Sequence, residues 1–284
     1  MPDGTEQQVS PATVVDAVII ASGVALFALW LLSTSLGRKA LANSKPRRTS
    51  MAWYTPFAIF FLWLTGIGLF QIAVLRIFRD VEDWQRFFLS NVVASAGAVG
   101  TVVIILVVAR LEFARGLRGF GLRPRTIPKD VGYAFVTLLA IWPLVAAAMS
   151  LTILATQKMF GREFEVPQHE ALEVITHSTT LPVQVLIVIL AVVIAPLVEE
   201  MLFRGLFQTM IRSYVRRPWP AIVMTSILFA AIHVNATHWP SLFVLGLGLG
   251  YAYEKSNSLL RPIFMHAMFN GITIAVALTQ QGPG

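Results

Sequence analysis

Between Val185 and Val198 no side chain is polar, and directly behind this run stand Glu199, Glu200 and, four positions further, Arg204. Such a run belongs in a bilayer, where every backbone polar group must be satisfied within the protein. A charge at the bilayer centre costs about 2.5–3.5 kcal/mol on insertion scales, so residues of this kind face a bundle interior and carry a task. The feature therefore predicts a membrane helix with an ionisable cluster inside it.

Comparable runs recur along the chain. They predict an all-α, polytopic integral membrane helical bundle of about eight transmembrane helices, near residues 14–36, 56–75, 87–109, 131–156, 182–204, 219–236, 239–253 and 259–279. Composition agrees, with 56% hydrophobic and only 13% charged residues among 284. The absence of cysteine excludes a disulfide framework, a thiolate metal site and a cysteine nucleophile. Residues 1–13 lack the positive segment of a secretory signal, so residue 14 onward is expected as a retained first span.

The net charge of +7 comes from Lys and Arg concentrated in 38–48, 110–129, 204–217 and 255–261. These are the loops after every second span, and they are read as cytoplasmic loops facing anionic headgroups. No nucleic-acid partner is expected, because the basic residues are divided among short loops. The expected location is the bacterial cytoplasmic membrane, with both termini outside and the bilayer as the main partner. Residues 1–180 read as a scaffold of four spans, and 181–284 as a catalytic core of four.

Glu200 and Arg204 share a helical face, with the glutamate N-terminal, the better order for an ion pair. Glu199 lies about 100° round the helix and points elsewhere. Arg204 is expected to pair with Glu200, leaving Glu199 for chemistry. A blander alternative has all three ending the span at the membrane surface. Against it, the apolar pattern continues through Met201–Phe203 and Gly205–Ile211, and the interfacial cluster RSYVRRPW follows only at 212–219.

Glu199 and His233 are equally far in sequence from Arg216, the centre of the next turn. In an antiparallel hairpin they would stand at one depth. His266 and Asn270 are one turn apart on one face of the last span. A core histidine bonded to a carbonyl, or an interhelical Asn and His, would be the structural readings. His169, His177 and His238 read as solvated or interfacial. The glycines of LGLGLGY (245–251) read as close helix packing, and GLRGFG (116–121) is assigned no nucleotide.

Together these residues suit peptide or ester hydrolysis without a covalent intermediate. A buried glutamate can act as general base on water. An asparagine amide and a protonated histidine can stabilise a developing oxyanion. Glu199, His233 and His266 could instead ligate zinc, although the HExxH pattern is absent. Transport through a proton relay is a further reading.

Three motifs then carry a resemblance. EEMLFR (199–204) matches EExxxR, FAAIH (229–233) matches FxxxH and HAMFN (266–270) matches HxxxN. In this order, over residues 180–280, they resemble the CPBP family of intramembrane proteases. That family includes type II CAAX prenyl endopeptidases and Abi-like bacteriocin-processing or self-immunity proteins. The resemblance implies a site open to the cytoplasmic side, with Glu199 and His233 activating water and His266 and Asn270 assisting at the oxyanion. Glu200 and Arg204 support them. It implies a glutamate-dependent mechanism without cofactor, or a zinc-dependent one. The implied partner is a peptide or protein substrate, prenylated or not. A non-catalytic peptide-binding or immunity protein would use the same bundle.

Overall fold

The computed structural model describes residues 11–161, 170–177 and 180–279. His169 and the side chain of His177 lie outside the described residues. Ten helices follow in order: α1 (Pro11–Ser33), α2 (Thr55–Ile77), α3 (Asp83–Glu112), the single turn α4 (Leu117–Phe120), α5 (Ile127–Phe160), α6 (Glu170–His177), α7 (Leu181–Val215), α8 (Pro218–Ala231), α9 (Trp239–Ser256) and α10 (Leu260–Thr279). Strand pairing among the described residues amounts to one isolated bridge, Thr49 to Phe113.

Local chemistry sets several boundaries. Proline stands in the first turn of α2, α5, α7, α8 and α9, where its missing N–H loses nothing. Glu82 and Gln85 form a reciprocal capping box at the start of α3. Arg216 (φ 59°) and Asn257 (φ 54°) close α7 and α9 in the left-handed region.

Among the described residues, five helices are long and apolar enough to cross a membrane: Thr55–Ile77, Asp83–Glu112, Leu117–Phe160 (broken by the turn after α4), Leu181–Val215 and Leu260–Thr279. The other three expected spans also fall on helices, but α8 has only 14 residues. It rises about 21 Å, against a hydrocarbon core of about 30 Å. Of the eight expected spans, five thus fall on helices of full crossing length. The expected helix over 219–236 stops at Ala231, because His233 Nδ1 binds the Phe229 carbonyl at 2.8 Å and Trp239 Nε1 donates to the His233 carbonyl at 2.9 Å. The Asn235 side chain then accepts from Thr237 N, opening the approach to α9.

The bundle is organised around α7. Val198, Leu202, Phe203 and Leu206 are buried there, and so are Glu200, Arg204 and Gln208. α9 runs alongside in the same direction: Arg204 Nη2 donates to the Gly246 carbonyl at 3.4 Å, and Gln208 Nε2 to that of Gly250 at 3.1 Å. Small residues make this approach feasible. A Cβ on Gly250 would lie 2.9 Å from both Gln208 Oε1 and Ile222 Cγ2, and one on Gly246 3.0 Å from Ser226 Cβ. The glycines expected to serve helix packing do so.

α5 packs against α1, α9 and α10. At its base Asp130, buried, receives hydrogen bonds from Thr126 and Ser258, each at 2.6 Å, and from Arg261 at 3.2 Å. The start of α10 is therefore tied to the start of α5. Nearby, Gly121 (φ 110°) accepts from Leu259 N at 2.9 Å. A side chain there would collide with that same nitrogen, 2.7 Å away.

Candidate active site

The two glutamates stand on a short α-helical segment, Ala195–Glu200, enclosed by π-helical stretches at Leu190–Ile194 and Met201–Gln208. Such wide turns re-aim side chains and concentrate at functional sites. Proline explains the first one. Pro196 cannot donate to a helix ladder and its ring crowds the carbonyl one turn back. The backbone widens, and Ala195 N donates to the Leu190 carbonyl.

Arg204 Nη1 donates to Glu200 Oε1 at 2.8 Å, with both side chains fully buried. Arg204 is held further by the Gly246 carbonyl and by the ring of Phe229, 4.4 Å from its guanidinium carbon. Phe229 thus orients the guanidinium across the helix pair.

His266 comes from α10. Its Nδ1 lies 2.9 Å from Glu200 Oε1, and its Nε2 lies 3.9 Å from Glu199 Oε2. One imidazole therefore touches both glutamates. Glu199 is only slightly exposed, and its Oε2 makes no hydrogen bond among the described residues. The ring of Phe229 packs edge-on against both His233 (5.1 Å) and His266 (5.7 Å). His233 thus joins the cluster through Phe229, its Nδ1 directed at the Phe229 carbonyl. Asn270, one turn beyond His266, donates from Nδ2 to the Ala191 carbonyl at 2.7 Å.

The motif residues consequently fall into three groups. Glu199, Glu200, Arg204 and His266 form one contiguous polar cluster. His233 adjoins it across Phe229. Asn270 is engaged with the backbone of α7. The contribution of the Ala191 carbonyl has no signature at its own position. Its only sequence signal is Pro196, which removes the N–H that a widened turn would offer it. Among the described residues, no three His, Asp or Glu side chains converge as a metal-holding set. The Glu199, His233 and His266 set considered for zinc is not assembled in this arrangement.

The fold and the cluster define an integral membrane protein of apolar helices with a buried glutamate–histidine site. Residues 181–272 match the family described as "Type II CAAX prenyl endopeptidase Rce1-like", a match that supports the resemblance to the CPBP family of intramembrane proteases over that segment. The chain is also 29% identical over 128 residues to an "Uncharacterized 24.3 kDa protein" of Escherichia coli, an alignment covering 44% of this chain and 58% of that protein. The chain thus spans little more than half the length of that relative. No solved structure gives a significant match.

Proposed function

We propose that the protein is an intramembrane endopeptidase that hydrolyses peptide bonds of membrane-associated substrates, CAAX-like tails among them. The observation that carries this reading is the placement of one imidazole against two glutamates with different partners: Glu200 Oε1 is held by both Arg204 and His266 Nδ1, while Glu199 Oε2 stands 3.9 Å from His266 Nε2 with no hydrogen bond. Glu200 fixes the His266 ring through Nδ1, so Nε2 is aimed toward Glu199. This arrangement prepares Glu199 to take a proton.

In this reading Glu199 removes a proton from water, and the hydroxide adds to the scissile carbonyl. His233, beside the cluster, orients the water. The developing oxyanion is met by the Nε2–H of a protonated His266, whose other proton is held by Glu200. As the C–N bond breaks, the departing amine takes the proton held by Glu199. Glu200 and Arg204 hold position and exchange no proton.

The basic residues Arg212, Arg216 and Arg217 at the α7–α8 turn support a cytoplasmic location for that turn. We assign the protein to the bacterial cytoplasmic membrane on that basis, with its termini outside. The family resemblance supports a site open to the cytoplasmic side.

The test is cleavage of a quenched-fluorescent membrane-peptide library by purified protein beside Glu199→Gln, each with and without a strong chelator. Cleavage kept in chelator and lost in Glu199→Gln is the expected result. Loss in both conditions moves the mechanism to a metal. Binding without cleavage by the wild type replaces the reading with a peptide-binding or immunity role.

A further inference from the structure

Ala191 is placed so that its carbonyl has no donor on its own helix. At the π spacing seen in this stretch, Ala195 N serves the Leu190 carbonyl, so the next nitrogen, that of residue 196, should serve Ala191. Residue 196 is proline and has no N–H. A carbonyl left unpaired in a membrane bundle is costly, and it is satisfied from elsewhere. The donor is Asn270 Nδ2, 2.7 Å away on α10.

We infer that Asn270 is a positioning residue that stands in for the N–H missing at Pro196, and by doing so sets where Glu199 meets His266. The geometry joins α7 and α10 at two points on either side of Pro196. On one side lies Asn270 with the Ala191 carbonyl. On the other lies His266, one turn back on α10, with Glu200 and Glu199. Without the first point the wide turn is free to re-pair, and Glu199 rotates with it. The amide proton so used is not available to an oxyanion. Nδ2 carries a second proton, which is left for the oxyanion role that the motif resemblance implies, and the variants below separate the two roles. The catalytic consequence rests on the proposed peptidase reading, while the helix geometry stands without it.

Restoring the missing N–H tests the idea. In Pro196→Ala the new residue can donate within α7, so the Ala191 carbonyl no longer depends on α10. The chain has no cysteine, which allows a clean structural readout. A Cβ on Gly271 would lie 3.9 Å from Val192 Cγ1, so a Val192→Cys/Gly271→Cys pair reports how closely α10 meets the wide turn.

Four backgrounds are compared in detergent-purified full-length protein: wild type, Asn270→Ala, Pro196→Ala and the double variant. Each is measured for oxidative cross-linking of the cysteine pair and, without that pair, for kcat and KM. The expected pattern is a roughly tenfold or greater fall in cross-linking rate and kcat in Asn270→Ala, with KM little changed, and recovery of both in the double variant. A fall in kcat with cross-linking intact and no recovery overturns the inference, and returns the amide to the reacting carbonyl. A fall in cross-linking that Pro196→Ala does not restore overturns the link to proline. If no peptide is cleaved by any form, the peptidase reading fails, and cross-linking alone still decides whether Asn270 replaces the missing N–H.

Discussion

His266 reaches two neighbouring carboxylates at once, Glu200 at 2.9 Å through Nδ1 and Glu199 at 3.9 Å through Nε2. The first contact is a hydrogen bond and the second is too long to be one. Because Glu200 also accepts from Arg204, the two glutamates have unequal tasks despite being adjacent. Glu199→Gln is expected to reduce cleavage to background while leaving the melting temperature within a few degrees of the wild type. Parallel activity and thermal-unfolding measurements decide it. A matching loss of thermal stability would make Glu199 a structural residue.

Arg204 should behave in the opposite way. Its guanidinium is bound by Glu200, the Gly246 carbonyl and the Phe229 ring, all within the bundle. Removing one partner of a buried ion pair costs about 3–5 kcal/mol, since the other charge is left uncompensated. Arg204→Ala should therefore lower stability by an amount of that order. Arg204→Lys should recover only part of it, because an ammonium cannot cover both directions at once. An unchanged melting temperature in Arg204→Ala would contradict the division of labour between the glutamates.

The α7–α9 approach predicts a contrast among glycines. Gly250→Ala places a Cβ against Gln208 and Ile222, and a forced separation of this kind costs about 1–3 kcal/mol. Gly66, in α2, has no atom within 4 Å of the position a Cβ would take. Gly66→Ala should be neutral or stabilising by up to about 1 kcal/mol. Comparing the two by thermal unfolding in one detergent separates packing from helix propensity.

Asp130 should matter at a distance from the glutamates. It gathers Thr126, Ser258 and Arg261 at the junction of α5 and α10. Asp130→Ala leaves the Arg261 guanidinium without its carboxylate and is expected to lower stability by several kcal/mol. Its effect on cleavage should follow the fraction of folded protein. Full activity per folded molecule, measured by active-site titration, is the expected outcome.

Much of this arrangement can be read from sequence. The apolar run before Glu199 required a membrane helix, and the spacing of Glu200 and Arg204 put them on one face, where they pair. The spacing of His266 and Asn270 likewise put both on one side of α10. Other features needed the backbone. Helix periodicity does not tell how far α10 leans along α7, so the sequence could not say that His266 would bridge both glutamates. The end of α8 at Ala231 was hidden because Ile232 and Val234 continue the apolar pattern, while the stop comes from the bond between His233 and the Phe229 carbonyl. The wide turn before Pro196 was equally hidden. Proline announces an interruption, but whether it becomes a kink, a break or a π stretch depends on what can satisfy the freed carbonyl.

The brevity of α8 has a consequence for the lipid. Its Val223, Met224, Ile227 and Leu228 are exposed on the bundle surface, so acyl chains are their natural neighbours. A helix about 21 Å long beside α7, whose 35 residues extend about 50 Å, presents two hydrophobic heights to one bilayer. Lipids relax such a mismatch by thinning along the shorter wall. With the α7–α8 turn in the cytoplasm, the headgroups of the outer leaflet, and the water they carry, are then drawn down toward the end of α8, where His233 stands, across the bundle from the cytoplasmic opening. On this account the protein deforms its own solvent to wet the hydrolysis proposed for it. Cleavage should run faster in vesicles of shorter acyl chains than in thick ones, and a rate indifferent to bilayer thickness would remove α8 from any part in supplying that water.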